Sequence, residues 1–302
     1  MIGVSRSGGN IMQFTPVHPV FGARVTGVDL RRALTPAEVA DIDAAMNEYA
    51  LLVFPGQMID DEQQKAFSRN FGPLEQATGN IQTAAERRLD MEMADISNLD
   101  QAGQVFARDD RRRMFNLGNM LWHADSSFKA TPAKYSALSA RAIPRQGGDT
   151  EFADMRAAYD ALPDADKALV EPMITHHSLI YSRGLLGFGE FTEDEKLKFA
   201  PVRQRLVRRN AMTGRKTIYL SSHIGEIEGM PRPEAMALIR DLVEHATQRS
   251  FVYTHRWTVG DIVMWDNRQT MHRARRYNDT GEVRDMRRTT VEDVAPSLAQ
   301  AA

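Results

Sequence analysis

The 302-residue chain contains no cysteine. That excludes a disulfide framework, a thiolate nucleophile and any thiolate metal site. An excess of one charge is also missing. The 38 basic residues stand against 40 acidic ones, for a formal net charge of −2. This balance offers no bulk attraction to nucleic acid or to an anionic membrane. No apolar run approaches bilayer length, and residues 1–10 lack the apolar segment of a secretory signal. Repeats, low-complexity tracts, G-x-G-x-x-G and H-E-x-x-H are all absent. The expectation is a cytoplasmic protein with neither membrane nor nucleic acid as partner, long enough to bury a substantial core.

Local signals then organise the chain. Thr35-Pro36-Ala37-Glu38 offers an N-cap, a proline at the first helical position and a capping-box glutamate, leading into a helix over 39–49. A second amphipathic run covers 60–71 and closes at Gly72-Pro73, and a third covers 233–247. Between them lie short strand-like runs at 51–54, 216–220, 251–257 and 262–265. Val259-Gly260-Asp261, between the last two, reads as a hairpin turn. Strands concentrate in the later two-thirds, with helices flanking them. The pattern favours a β-sandwich or closed β core with helices outside over alternating βαβ units. One domain is expected over 11–295, with flexible termini at 1–10 and 296–302.

The residues that carry chemistry are His123 and Asp125, in Leu121-Trp122-His123-Ala124-Asp125-Ser126-Ser127-Phe128. Positions i and i+2 point the same way on a strand but lie about 200° apart around a helix. An extended backbone would therefore converge them into half of a metal site. His272, after Trp265-Asp266-Asn267, is the candidate third ligand. Two imidazoles and a carboxylate can occupy one face of an octahedral Fe(II), leaving the other face for substrate and oxygen. The same three groups also make a catalytic zinc site, so the metal stays open at this point.

Six arginines follow His272. Arg273, Arg275 and Arg276 read as a solvated basic face. Arg284-Asp285-Met286-Arg287-Arg288 runs into Thr289-Thr290-Val291 as a strand, which puts Arg284 and Arg288 on one face and Asp285 and Arg287 on the other. The two same-face guanidiniums would stand roughly 13 Å apart along the backbone. Burying them demands an anion for each.

Taken with these residues, the segments Asn70-Phe71-Gly72-Pro73-Leu74-Glu75, 121–128, Gly147-Gly148-Asp149-Thr150-Glu151-Phe152, 155–163 and 251–277 resemble the Fe(II)/2-oxoglutarate-dependent taurine dioxygenase family. The likeness points in particular to its aryloxyalkanoate branch, the 2,4-dichlorophenoxyacetate dioxygenases. It spans nearly the whole chain, from Val17-His18-Pro19 to Thr290. The resemblance implies a mainly β fold, a double-stranded β-helix (jelly-roll) core with flanking helices. It implies His123, Asp125 and His272 as iron ligands, and Thr150 and Arg284 as anchors of the 2-oxoglutarate distal carboxylate. It also implies that Arg288 and Asn119 hold the anion of the primary substrate. Fe(II), 2-oxoglutarate and O₂ would then be required, with ascorbate supporting activity in vitro. A small carboxylate is the expected substrate and a homo-oligomer the expected assembly.

One departure is visible. The family often supplies a Lys or His from the loop after the Phe-Gly-Pro segment, whereas residues 76–85 contain no basic side chain and Asn80 stands near that place. His223, in Ser221-Ser222-His223, reads as a core or surface histidine rather than a pocket residue. Three rivals remain: an alkyl-sulfonate (taurine) dioxygenase, a zinc hydrolase, and a non-catalytic anion-binding jelly roll. Thr150 and the paired arginines argue against a hydrolase, which needs no co-substrate anchor.

Overall fold

The computed structural model describes residues 12–300. Thr35 caps the first long helix, Pro36–Tyr49. Its hydroxyl accepts from the Glu38 N–H at 3.2 Å, while the Glu38 carboxylate accepts from the Thr35 N–H at 2.8 Å. Ala50 then turns left-handed at φ 58°, sending the chain directly into the fully buried strand Leu51–Phe54. Asp60 and Gln63 repeat the reciprocal cap at the start of Asp61–Arg69. The third expected helix runs Arg232–Ala246 and buries Ala235, Ile239, Leu242 and Ala246. Among the described residues, no helix is long and apolar enough to cross a membrane.

A seven-stranded sheet orders its strands as Gln13–Pro16, Ala23–Thr26, Leu51–Phe54, Ile262–Asp266, Ala133–Ala142, Asp285–Glu292 and Ala94–Asp95. A three-stranded sheet places Thr150–Asp154 between Val252–His255 and Thr270–Ala274. Phe152 from the smaller sheet, and Trp257 just beyond the end of its strand Val252–His255, share one apolar cluster with Leu51, Val53, Leu138 and Trp265 from the larger. The two sheets therefore face each other as a jelly roll. Successive side chains alternate, so Leu52, Phe54, Ile262 and Met264 emerge on the far side, where Ile42, Met46 and Phe67 of the two N-terminal helices cover them. Both faces of Leu51–Phe54 are thus apolar, which explains a Leu-Leu-Val-Phe run with no polar alternation.

Arg156 ties these layers together. Its guanidinium pairs with Asp154 at 2.9 Å, both side chains almost fully buried, and donates to the Glu48 and Tyr49 carbonyls at the C-terminus of Pro36–Tyr49. A cation there also meets the negative end of the helix dipole. Arg156→Met would leave Asp154 buried and unpaired. A loss of about 3–5 kcal/mol of stability is expected, read from the denaturation midpoint at unchanged slope; a shift below about 1 kcal/mol would place the pair among the weak ones.

Two expectations need correction. The strands flanking Val259-Gly260-Asp261 do not pair with each other. Val252–His255 pairs with Thr150–Asp154, whereas Ile262–Asp266 pairs with Leu51–Phe54 and Ala133–Ala142. The turn carries the chain from one sheet to the other, with the Gly260 N–H donating to Ala140 O at 2.9 Å. Most strands do lie in the later two-thirds as expected, while three strands of the large sheet precede residue 55. Finally, the described part of 296–302 is tied down: Ser297 is buried, accepts from the Arg205 N–H and donates to Gln204 Oε1 at 2.6 Å. The segment 1–10 lies outside the described residues.

Candidate active site

His123 and His272 are joined by a single antiparallel bridge. The His123 N–H donates to His272 O at 3.0 Å and the His272 N–H to His123 O at 2.8 Å, which sets the imidazole centroids 4.2 Å apart. His272 belongs to Thr270–Ala274, while His123 stands alone as a bridge residue followed by a turn. Asp125 therefore arrives by a turn rather than along one strand face. Ser126, at φ 53°, holds that turn, and its hydroxyl donates to the buried Glu75 carboxylate at 2.5 Å.

A closed ring of hydrogen bonds aims the Asp125 carboxylate. The Asp125 N–H donates to Asn267 Oδ1 at 3.0 Å, Asn267 Nδ2 donates to Ser136 Oγ at 2.9 Å, and Ser136 Oγ donates to Asp125 Oδ2 at 2.7 Å. Trp265 Nε1 fixes the same Asn267 oxygen at 2.9 Å. With Oδ2 so engaged, Oδ1 faces the imidazoles, 3.8 Å from His123 Nε2 and 3.7 Å from His272 Nε2. One ligand atom from each of the three residues lies within 4.8 Å of the other two.

Protonation suits a metal. His123 Nδ1 lies 2.7 Å from Leu121 O, which can only accept, so Nδ1 carries the proton and Nε2 offers its lone pair. Burial lowers the pKa of His123 and drives that of His272 well below the ordinary histidine value, keeping both neutral. Burial alone would raise Asp125, but Arg288, His272 and His123 together hold it below the usual carboxylate range. Ligation requires neutral imidazole and ionised carboxylate. The N,N,O donor set, gathered on one side, fits a divalent iron.

Behind His272 lies a chamber lined by Thr150, Arg284, Leu138, Asn119, Arg288 and Ile96. Phe152 is the register partner of His272 and Thr150 that of Ala274, so Thr150 shares the ligand's face of the sheet. The Thr150 hydroxyl accepts from Trp257 Nε1 at 3.0 Å, which leaves its own hydrogen free to donate. Arg284 is 4% exposed; among the described residues its guanidinium hydrogen-bonds only the Ile96 and Gly148 carbonyls, at 3.4 and 3.3 Å, with Nε unpaired, and it lies 5.8 Å over the Tyr277 ring. Burial lowers its pKa below the ordinary arginine value. Arg288 differs, for its Nη1 donates to Asp125 Oδ1. Arg284 and Arg288 line one chamber while Arg287 and Asp285 bond Asp61 and Arg88 elsewhere, the alternation the sequence predicts.

On the other side of the ligands opens a second cavity, walled by Phe115, Phe128, Ile81, Asn119, Arg183 and His223. Sequence reasoning undervalued His223. It is buried, its ring centroid is 5.8 Å from that of His123, and its Nδ1 is 2.9 Å from Ser182 Oγ. The loop 76–85 also borders this cavity without a basic side chain. Its cations come from neighbours and hold its backbone instead: Lys129 Nζ donates to Gln76 O and Lys198 Nζ to Asn80 O, both at 2.8 Å. Of the supposed solvated face, Arg273 bonds Glu151 at 2.7 Å and covers the Trp122 ring at 4.6 Å.

Comparison with known proteins agrees with this geometry. The alpha-ketoglutarate-dependent 2,4-dichlorophenoxyacetate dioxygenase of Cupriavidus pinatubonensis is 48% identical over 280 residues, covering 93% of this chain and 97% of its own length. The (S)-phenoxypropionate/alpha-ketoglutarate-dioxygenase of Sphingobium herbicidovorans is 42% identical, covering 86% of this chain and 88% of its own. The crystal structure of AAD-2 in complex with Mn(II) and N-oxalylglycine superposes with a TM-score of 0.92 at 53% identity, over 95% of this chain and 99% of that one. Residues 13–290 match the model for the taurine catabolism dioxygenase TauD, TfdA family, and the chain belongs to that family.

Proposed function

We propose that this protein is an Fe(II)/2-oxoglutarate-dependent dioxygenase that cleaves the ether of small aryloxyalkanoates, carried by a single domain over 11–295. The observation that carries this reading is the cluster of His123, Asp125 and His272 beside a chamber whose buried Arg284 has no carboxylate among the described residues. A hydrolase has no use for such a chamber, whereas a 2-oxo acid fills it. Fe(II) held by the three ligands would couple reduction of O₂ to decarboxylation of 2-oxoglutarate, giving succinate, CO₂ and one hydroxylated substrate carbon.

The chain's own residues bind and aim. Arg284 and Thr150 hold the distal carboxylate of 2-oxoglutarate, the threonine donating the hydrogen that Trp257 leaves free. Arg288 and Asn119 border both cavities and face the substrate's anion. Phe115, Phe128 and Ile81 exclude water from an aryl body. On an aryloxyacetate the hydroxylated carbon bears the ether oxygen. The resulting hemiacetal breaks its C–O bond, passes the hydroxyl proton to the departing phenoxide and leaves glyoxylate. Positioning one C–H near the ligand cluster is the protein's main contribution.

A substrate panel scored by succinate release with Fe(II), ascorbate and 2-oxoglutarate tests the reading. Phenoxyacetates and phenoxypropionates are expected to drive release and to yield a phenol. Taurine brings an anion but no apolar body for the aromatic wall. Robust release with taurine and none with the aryl ethers would move the assignment to the sulfonate branch.

A further inference from the structure

Four arginines are buried among the described residues: Arg156, Arg183, Arg208 and Arg284. Two of them meet aspartates, Arg156 with Asp154 at 2.9 Å and Arg208 with Asp293 at 2.5 Å. The other two have no carboxylate within reach, and both stand on cavity walls beside the ligand cluster. Arg284 is accounted for by 2-oxoglutarate. Arg183 is not.

We propose that Arg183 is an anchor for the carboxylate of the aryloxyalkanoate, a proposal that rests on the substrate reading above. Arg183 lies on the short helix Leu179–Gly184 and is 4% exposed. Its hydrogen bonds go to neutral oxygens only, from Nε to Phe115 O and from Nη1 to Ser182 Oγ, both at 3.1 Å. The guanidinium carbon sits 4.3 Å over the Phe115 ring. These contacts hold the group in place without neutralising it, and Nη2 bonds no described residue. Burying an arginine without a counter-ion is costly unless a ligand supplies the anion.

A second observation is independent of charge. A Cβ on Gly118 would lie 2.5 Å from Arg183 Cζ, 2.6 Å from Nε and 2.7 Å from Nη1. The chain therefore keeps a bare backbone at 118, beside Asn119, and the guanidinium occupies that space. Burial pushes the Arg183 pKa down to about 9, still high enough to keep the cation at neutral pH. Arg288, by contrast, already shares its charge with Asp125. The surroundings also select the ligand. Phe115, Leu179 and Phe128 line the cavity with Arg183, so a carboxylate joined to an aryl ether meets charge and apolar surface together. The Arg183 fork can take both carboxylate oxygens at once.

The test is calorimetric titration of the anaerobic Fe(II)/2-oxoglutarate enzyme with 2,4-dichlorophenoxyacetate and with its neutral amide. Arg183→Gln is expected to weaken acid binding about 10- to 150-fold, the range for a hydrogen bond to a charged group. Affinity for the amide and for 2-oxoglutarate should stay unchanged, and Arg183→Lys should recover part of the loss. Gly118→Ala keeps the charge but displaces the guanidinium, so it should weaken the acid selectively as well. Acid binding at parental strength in both Arg183→Gln and Gly118→Ala would overturn the assignment. Equal losses for acid, amide and 2-oxoglutarate would do the same and make Arg183 structural. A parent enzyme that binds no aryloxyalkanoate would overturn the substrate reading itself, a result distinguished by the parent titration alone.

Discussion

Asp125→Ala is expected to leave a folded protein that retains no iron after desalting and releases no succinate above the metal-free background. Asp125 is the one anion in the cluster of His123, Asp125 and His272. Without it a divalent cation would face two neutral imidazoles, with Arg288 close by and no carboxylate between them. Removing one side of a buried ion pair also costs about 3–5 kcal/mol, so Asp125→Asn is the cleaner companion. It keeps the volume and an oxygen for the Ser136 hydroxyl while removing the charge. Both variants should lose metal together with turnover, while far-UV dichroism shows the sheets intact. Near-parental iron content and activity in either would mean that the metal sits elsewhere.

Parts of this site were legible from residue type and spacing. Arg284 and Arg288 share a wall because a strand repeats every two residues, and Asp285 and Arg287 turn away for the same reason. The capping box at Thr35 and Glu38 needs only four residues to declare itself. The hairpin at Val259-Gly260-Asp261 failed on similar local grounds, since a turn signal says that the chain bends but not which sheet receives it. The positioning network was invisible for a different reason. Ser136 and Asn267 meet across 131 residues, and Glu75 and Ser126 across 51. A serine or an asparagine carries no mark of such a partner until the jelly roll closes. Arg183 was hidden likewise, because an unpaired cation can be recognised only once its surroundings are known to lack a carboxylate.

Arg284→Ala is expected to weaken 2-oxoglutarate binding far more than a surface charge would. Arg284 is 4% exposed, hydrogen-bonds through its side chain only two carbonyl oxygens among the described residues, both beyond 3.2 Å, and leaves Nε without a partner. Truncating one member of a buried, hydrogen-bonded charge pair costs about 2–5 kcal/mol, or roughly 30- to 4,000-fold in affinity. Arg284→Lys should rescue poorly, because an ammonium is a point charge and cannot reproduce the planar fork. Thr150→Val should cost less, about 1.5–3 kcal/mol for a hydrogen bond to a carboxylate. Anaerobic titration of the iron-loaded enzyme with 2-oxoglutarate measures each value, and the same variants titrated with 2,4-dichlorophenoxyacetate should show parental affinity. Unchanged 2-oxoglutarate binding in Arg284→Ala would make that arginine a structural tie to Ile96 and Gly148. The opposite specificity expected of Arg183→Gln sharpens the comparison: if the two unpaired arginines answer to different anions, each variant must lose one ligand and keep the other.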